Sequence, residues 1–348
     1  MTHQPYQPML EVTRGSTVES VHYGAVAIVD SHGKLLASYG DPDAVTFLRS
    51  TAKPFQALPF MELGGADHYG FTDEEVALMC ASHSGTDEHV RVVKSMQSKI
   101  GVTEDHLMCG VHYPLYDKLK YEMIARGESP TPYRHNCSGK HTGMLAQAQL
   151  RGVPLEDYLN FDHPVQKKNL QTFAEMCDIP EKDVELGIDG CSAPVFAVPL
   201  RKAAYGYARL CDPFALEEKR AAACRRLTRA MSSFPFMVAG PERFDTLFME
   251  QGGGRMISKA GAEGYQGIGL LPGVLSPDSP GVGIMFKIAD GDQGGRARPA
   301  LATALVRMLG LLNDEQMQAL AEFDHPVVRN WRKLAVGEIR TCFELTWH

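Results

Sequence analysis

Ser50-Thr51-Ala52-Lys53-Pro54-Phe55 is the stretch on which the fold of this chain turns. Side chains three apart on a helical turn share one face, so the spacing predicts that the Lys53 amine reaches the Ser50 hydroxyl. A serine hydroxyl is a weak nucleophile until a neighbouring base takes its proton. A lysine that loses solvation, or stands beside another cation, has a lowered pKa and can be that base. Pro54 adds position, because proline fits the first turn of a helix and not its interior. Ser50 is thereby placed at the mouth of a helix running through Phe55-Gln56-Ala57-Leu58, where the helix dipole favours developing negative charge. Taken alone, Ser-x-x-Lys also describes an ordinary helix start, so the rest of the chain has to supply the other parts of a site.

Before this stretch, residues 9–38 read as strands. Leu10-Glu11-Val12-Thr13 runs into the turn Arg14-Gly15-Ser16, and Val21 to Asp30 carries the apolar run Ala25-Val26-Ala27-Ile28-Val29. Ser31-His32-Gly33 then turns the chain back into Leu35-Leu36-Ala37. Arg14, Glu19 and His22 near this hairpin either shape a site or are paired strand residues.

After it, residues 50–180 read as mainly helical. Thr72-Asp73-Glu74-Glu75 is a capping box opening a helix that stops at Ala81-Ser82-His83-Ser84-Gly85, and Thr86 caps the next. The polar loop Gly127 to Pro132 leads into Arg134-His135-Asn136-Cys137-Ser138-Gly139-Lys140-His141-Thr142-Gly143, which is rich in reactive side chains. A helix is predicted from Met144 to Leu150, and another opens at Asp162-His163-Pro164.

Strand character returns at Val184 and ends in the polar turn Asp189-Gly190-Cys191-Ser192-Ala193-Pro194. Asp212-Pro213 starts a long amphipathic helix, and Pro241-Glu242-Arg243-Phe244 a shorter one ending at Gly252-Gly253-Gly254. Arg255 to Lys259, Gly264 to Leu271 and Val282 to Ile288 read as strands, and a last helix spans Pro299 to Leu312. Strands at both chain ends around a helical middle predict an α+β fold, with one mostly antiparallel sheet, flanking helices and an inserted helical region. The sheet-containing part is 9–49 plus 184–348 and the helical part 50–180, within a single catalytic unit 1–348.

Composition narrows the function. The 348 residues are 44% hydrophobic and 22% charged, ordinary for a soluble globular protein. A formal net charge of −7 without a basic run argues against nucleic-acid binding. No apolar run is long enough to span a bilayer, and Met1 to Pro8 has neither the basic nor the apolar region of a secretory signal. A cytoplasmic enzyme is the expectation. Eight cysteines in this setting do not make a disulfide framework. Cys80, Cys109, Cys177, Cys211, Cys224 and Cys342 read as small buried hydrophobes.

Four elements carry chemistry: Ser50 with Lys53, Ser82 in its small-residue turn, Lys259-Ala260-Gly261 at a strand end, and Cys137-Ser138-Gly139-Lys140 with Asp189-Gly190-Cys191. A Ser-x-x-Lys, a polar serine element and a strand Lys-Thr-Gly, in that order, mark serine β-lactamases and penicillin-binding proteins. Here the last motif is Lys-Ala-Gly and no Ser-x-Asn follows Ser82, so the match is partial. Cys137 and Cys191 form either a soft metal pair suited to Zn²⁺, with His135 and His141 near in sequence, or two unpaired buried cysteines.

Arg14-Gly15 with Glu19-Ser20-x-His22, Arg49 to Gln56, Cys80 to Gly85, Asn136 to His141 and Asp189-Gly190-Cys191 together resemble the Rhizobium-type, thermolabile L-asparaginases. The resemblance covers nearly the whole chain. It implies a fold related to serine β-lactamases and glutaminases, a homodimer, and hydrolysis of L-asparagine to L-aspartate and ammonia. It implies Ser50–Lys53 and Ser82–Lys259 as Ser-Lys pairs, and Cys137, Lys140 and Cys191 as zinc ligands. It also implies Arg49, Asp189, Lys140 and His141 as substrate-binding residues. Which serine attacks is not decided by spacing, and Ser50 stands ahead of Ser82. The alternatives are a glutaminase or broader amidase, and a non-catalytic, zinc-responsive β-lactamase-like binding protein.

Overall fold

The computed structural model describes residues 4–348, so the reading of the N-terminal segment begins, at residues 1–3, outside the described residues. The hairpin read at the N-terminus forms as β1 (Gln7–Arg14), β2 (Thr17–Asp30) and β3 (Leu35–Tyr39). β2 organises the sheet. Its first half pairs with β1, and its apolar half, Gly24 to Asp30, has β3 on one edge and a C-terminal strand on the other. A strand enclosed this way reads as a continuous apolar run because both faces are covered, and Ala25 to Val29 is buried throughout.

β4 (Val45–Phe47) leaves this sheet and makes a separate one with β5 (Glu185–Ile188) and β6 (Pro194–Pro199), in the order β4-β6-β5. β7 (Met256–Gly261), β8 (Tyr265–Leu270) and β9 (Val282–Ile288) return to the far edge of β2. β10 (Val327–Arg329), β11 (Ala335–Thr341) and β12 (Thr346–Trp347) close the chain. The main sheet runs β10-β11-β1-β2-β9-β8-β7, with β3 on β2 and β12 on β3, and every pairing is antiparallel. Both chain ends therefore build one sheet, with helices on it and a helical segment inserted, as strands at both ends around a helical middle predict.

Several boundaries differ from the sequence reading, each for a local reason. The helix expected from Met144 begins at Ser138 and runs to Arg151. Its Gly139 is required by close approach, since a Cβ there would stand 2.3 Å from the Leu78 carbonyl oxygen. The long helix runs Glu218–Ser233, because Asp212 is not an N-cap. The Asp212 carboxylate instead accepts from Ser31 Oγ (2.6 Å) and Gly281 N (3.0 Å). The unforeseen helix Leu200–Cys211 lies on the sheet so tightly that a Cβ on Gly283 would meet the Ala204 carbonyl oxygen at 1.9 Å. The last long helix is Ala297–Met308, with Asp292 accepting from the backbone N–H groups of Arg296, Ala297 and Arg298. Cys342 is exposed, whereas the other seven cysteines are buried, and all eight are free thiols.

The helix Lys53–Glu62 is anchored by Phe55, whose ring meets Phe173 and Tyr207 edge-on at 5.5 Å. Tyr207 Oη also donates to Thr51 O at 2.9 Å, which fixes the turn before the helix. Phe55→Ala would remove roughly 3–5 kcal/mol of packing. Among the described residues, no helix is long and apolar enough to cross a membrane.

Candidate active site

Ser50 sits in a 3-10 turn, Arg49–Ala52, that feeds directly into the helix beginning at Lys53. Arg49 enters that turn with φ of 53°, a left-handed conformation costly for a residue with a side chain. Arg49 Nε holds Asp189 Oδ1 at 2.7 Å, so the strained turn is tied to the β5–β6 turn.

The spacing of Ser50 and Lys53 predicts a contact between them, but the buried Lys53 amine points across the core. It donates to Ser82 Oγ (2.9 Å), to Asn136 O (3.5 Å) and, in a short contact, to Ala81 O. Those acceptors take all the hydrogens an ammonium carries, which is why the amine does not fold back on Ser50. The Ser50 hydroxyl itself makes no hydrogen bond among the described residues.

Lys259, in the middle of β7 rather than at its end, reaches the same hydroxyl from the opposite side. Its Nζ lies 2.8 Å from Ser82 Oγ and 2.6 Å from Ala260 O. Burial pushes its pKa well below the usual lysine value, and the Lys53 charge pushes it further down. The Ser82 turn is held by Ser82 N donating to Val238 O (2.9 Å) and by His83. Gly85 N donates to His83 Nδ1 (3.1 Å), so the ring proton is on Nε2, where it meets Ser138 Oγ at 2.9 Å.

Asp245 is a site residue that sequence reasoning missed. Its Oδ1 accepts from Ser258 Oγ (2.7 Å) and its Oδ2 from Ala260 N (2.8 Å), clamping the strand around Lys259. Burial alone would raise its pKa, but Lys259, Arg298 and the Ser258 hydrogen bond outweigh this and keep it lowered. Only the tertiary contact between the helix Phe244–Gln251 and β7 exposes this role; Asp245 carries no local motif.

The second cluster joins the start of the helix Ser138–Arg151 to the β5–β6 turn. Lys140 Nζ donates to Cys191 Sγ at 3.0 Å. A hydrogen bond from Cys137, helped by Lys140 and His141, lowers the Cys191 pKa so that Cys191 is the thiolate; its partner Cys137 is raised and remains the thiol. Burial opposes the charge on Lys140, but the two sulfurs and Asp189 reverse the balance and raise its pKa. His141 Nδ1 lies 2.6 Å from Tyr158 Oη, and its buried Nε2 has no hydrogen-bond partner. His135 is driven down to about 3 by burial and by His112, whose ring centroid is 4.3 Å away.

Two sulfurs and an amine on one buried point suit a soft divalent cation with a position left open. Among the described residues, no group of three or more His, Cys, Asp or Glu side chains has an arrangement that would hold a metal. The candidate set is therefore Cys137, Lys140 and Cys191, of which one member is a lysine.

The family model described as L-asparaginase II matches residues 10–341. The chain belongs to that family. Membership makes this family member an amidohydrolase. Among curated proteins, none matches the chain in sequence. Solved structures similar to it include a probable glutaminase from Bacillus subtilis complexed with 6-diazo-5-oxo-L-norleucine, at 12% identity and TM-score 0.41, covering 83% of this chain and 84% of that one. The covalent complex of the Bacillus subtilis glutaminase YbgJ with 5-oxo-L-norleucine is 12% identical, with TM-score 0.40 and coverage of 83% and 88%. Mglu in its native form is 14% identical, with TM-score 0.43 and coverage of 84% and 63%.

Proposed function

We propose that this amidohydrolase hydrolyses the side-chain amide of L-asparagine to L-aspartate and ammonia through a serine ester. The observation that carries the reading is the convergence of two buried lysine amines, Lys259 and Lys53, on the Ser82 hydroxyl, with Lys53 three residues along the chain from an unpartnered Ser50.

Ser50 Oγ attacks the amide carbon. Its proton passes to Lys53 when the Lys53 amine turns to Ser50 with substrate bound, a contact the free structure does not make, and then along the existing hydrogen bonds: neutral Lys259 takes the Ser82 proton, Ser82 takes one from Lys53, and Lys53 takes the one from Ser50. The reverse transfer protonates the leaving nitrogen as the C–N bond breaks and ammonia departs. Water then adds to the ester, gives up its proton along the same line, and releases aspartate with Ser50 restored. Arg49, next to Ser50, and its partner Asp189 would hold the α-ammonium end of the amino acid, together with Lys140 and His141.

Zinc, held by Cys137, Lys140 and Cys191, would supply a fixed positive charge beside the substrate. Lys140 would coordinate as the free amine, so binding would release a proton. Homodimer formation is part of the same proposal and is read by light scattering.

The test is ammonia release from L-asparagine and L-glutamine side by side, with bound zinc counted in the same preparation. Release from asparagine at a higher kcat/KM supports the reading. A preference for glutamine moves it to a glutaminase, since one methylene is worth only about 1–3 kcal/mol in a pocket. Release from neither removes it.

A further inference from the structure

We propose that Arg243 is the residue that binds the α-carboxylate of the amino-acid substrate, from a cavity beside the Ser82 turn. This rests on the amidohydrolase reading only in taking the substrate to be an α-amino acid with a side-chain amide.

The chain before Arg243 is fastened to the Ser82 turn. Ser82 N donates to Val238 O at 2.9 Å and Ser84 Oγ to Ala239 O at 2.8 Å. Gly240 then turns at φ of 115°, where a Cβ would stand 2.5 Å from Ser84 Oγ, so no other residue fits without moving that turn. Glu242 follows with φ of 59°, a left-handed conformation costly for a residue with a side chain. Strain of this kind persists only where the surroundings impose it, and here it sets the direction of the next side chain. Two residues further on, Asp245 clamps β7 around Lys259. Arg243 is thus fixed between the turn carrying Ser82 and the strand carrying Lys259.

Its guanidinium makes no hydrogen bond or ion pair among the described residues. Arg243 is half-buried, walled in by protein while keeping solvent contact, as a group on the floor of a crevice does. Burial lowers its pKa, Arg298 lowers it further, and its own charge is felt at Lys259. An arginine desolvated without a partner stands ready for a fork of acceptors, and a carboxylate supplies one. Arg49, the other arginine at the site, already spends its Nε on Asp189.

The cavity is about 340 Å³, in the range of small-molecule sites. Its lining includes Ser84, Tyr116, Asp117, Glu242 and Arg243, so the wall carries both signs of charge, as a zwitterion requires. In asparagine the α-carboxylate is three bonds from the amide carbon, which suits a cation next to the serine turn and not a remote one.

The experiment compares wild type, Arg243→Gln and Arg243→Lys in two ways. Steady-state kinetics on L-asparagine should show kcat/KM lowered about 30-fold or more in R243Q, mostly through KM, with a smaller loss in R243K. Calorimetry with L-aspartate and with β-alanine, which lacks only the α-carboxylate, should show R243Q losing the preference of the wild type for aspartate. Equal loss of both ligands, or an unchanged preference, overturns the proposal. If R243Q does not fold, the same preference in R243K decides: reduced supports it, unchanged overturns it. If the wild type releases ammonia from no amino-acid amide, the functional reading fails separately, and the binding preference still judges Arg243. Absence of aspartate binding to the wild type overturns both.

Discussion

Lys259 and Lys140 are both buried, both belong to a cluster of reactive side chains, and are driven in opposite directions. Lys259 is pushed well below its usual pKa by burial and by the Lys53 amine facing it across Ser82. Lys140 is pushed upward because the Cys191 sulfur, with Cys137 and Asp189 near it, outweighs the burial that opposes its charge. Burial is common to both; the sign of the neighbour decides. In the proposed reading, the first lysine serves as the base and the second as the counter-ion to a thiolate. On the function proposed, the difference separates a centre that moves protons from one that holds charge in place.

The sharpest way to break that division is to remove the attacking hydroxyl. Ser50→Ala should lower kcat by about 10⁴-fold or more, with circular dichroism and melting temperature close to wild type. Activity near wild type would move the nucleophile to Ser82 or to the thiolate. Next in size, Lys259→Met should cost roughly 10²–10⁴-fold in kcat and erase the ascending limb of the pH–rate profile, because the base that titrates is gone. A variant that keeps this limb would place the base elsewhere.

On the other side of the comparison, Cys191→Ser should remove bound zinc and raise KM about 10–100-fold while sparing kcat. Loss of kcat with unchanged KM would instead put a metal-activated water in the reaction. The smallest effect is on stability. The folded state holds Lys259 with a lowered pKa, so between that pKa and about 10.4 the unfolded chain binds more protons. Stability should therefore rise with pH through this window, by at most about 1.4 kcal/mol per pH unit, and be lowest below the depressed value. Urea titrations of wild type against Lys259→Met should show this slope in the difference. A slope of the opposite sign would mean that Lys259 is charged.

Much of this was legible before the fold. Ala25 to Val29 announces a buried strand, Thr72 with Glu75 closes a capping box, and Thr86 caps the next helix. These are local signals, carried by spacing and by backbone groups that need partners. The partner of Lys53 was not legible, because Ser50 is near in sequence whereas Ala81, Ser82 and Asn136 are brought in by packing. Asp212 reads as a helix cap until Ser31 and Gly281 claim it from the sheet. Asp245 and Arg243 carry no motif, and their positions follow only from the turn that fastens residues 238–240 to the Ser82 loop. β10 to β12 are short and partly exposed, so they lack the apolar alternation that marks the inner strands.

The most direct test of the division between the two clusters is to ask which side chain a reactive substrate analogue captures. A diazoketone analogue of asparagine, incubated with the intact protein and followed by peptide mass mapping, should leave one adduct per chain, on Ser50. An adduct on Cys191 or Cys137 would contradict the account, because the nucleophile would then lie in the cluster assigned to holding charge.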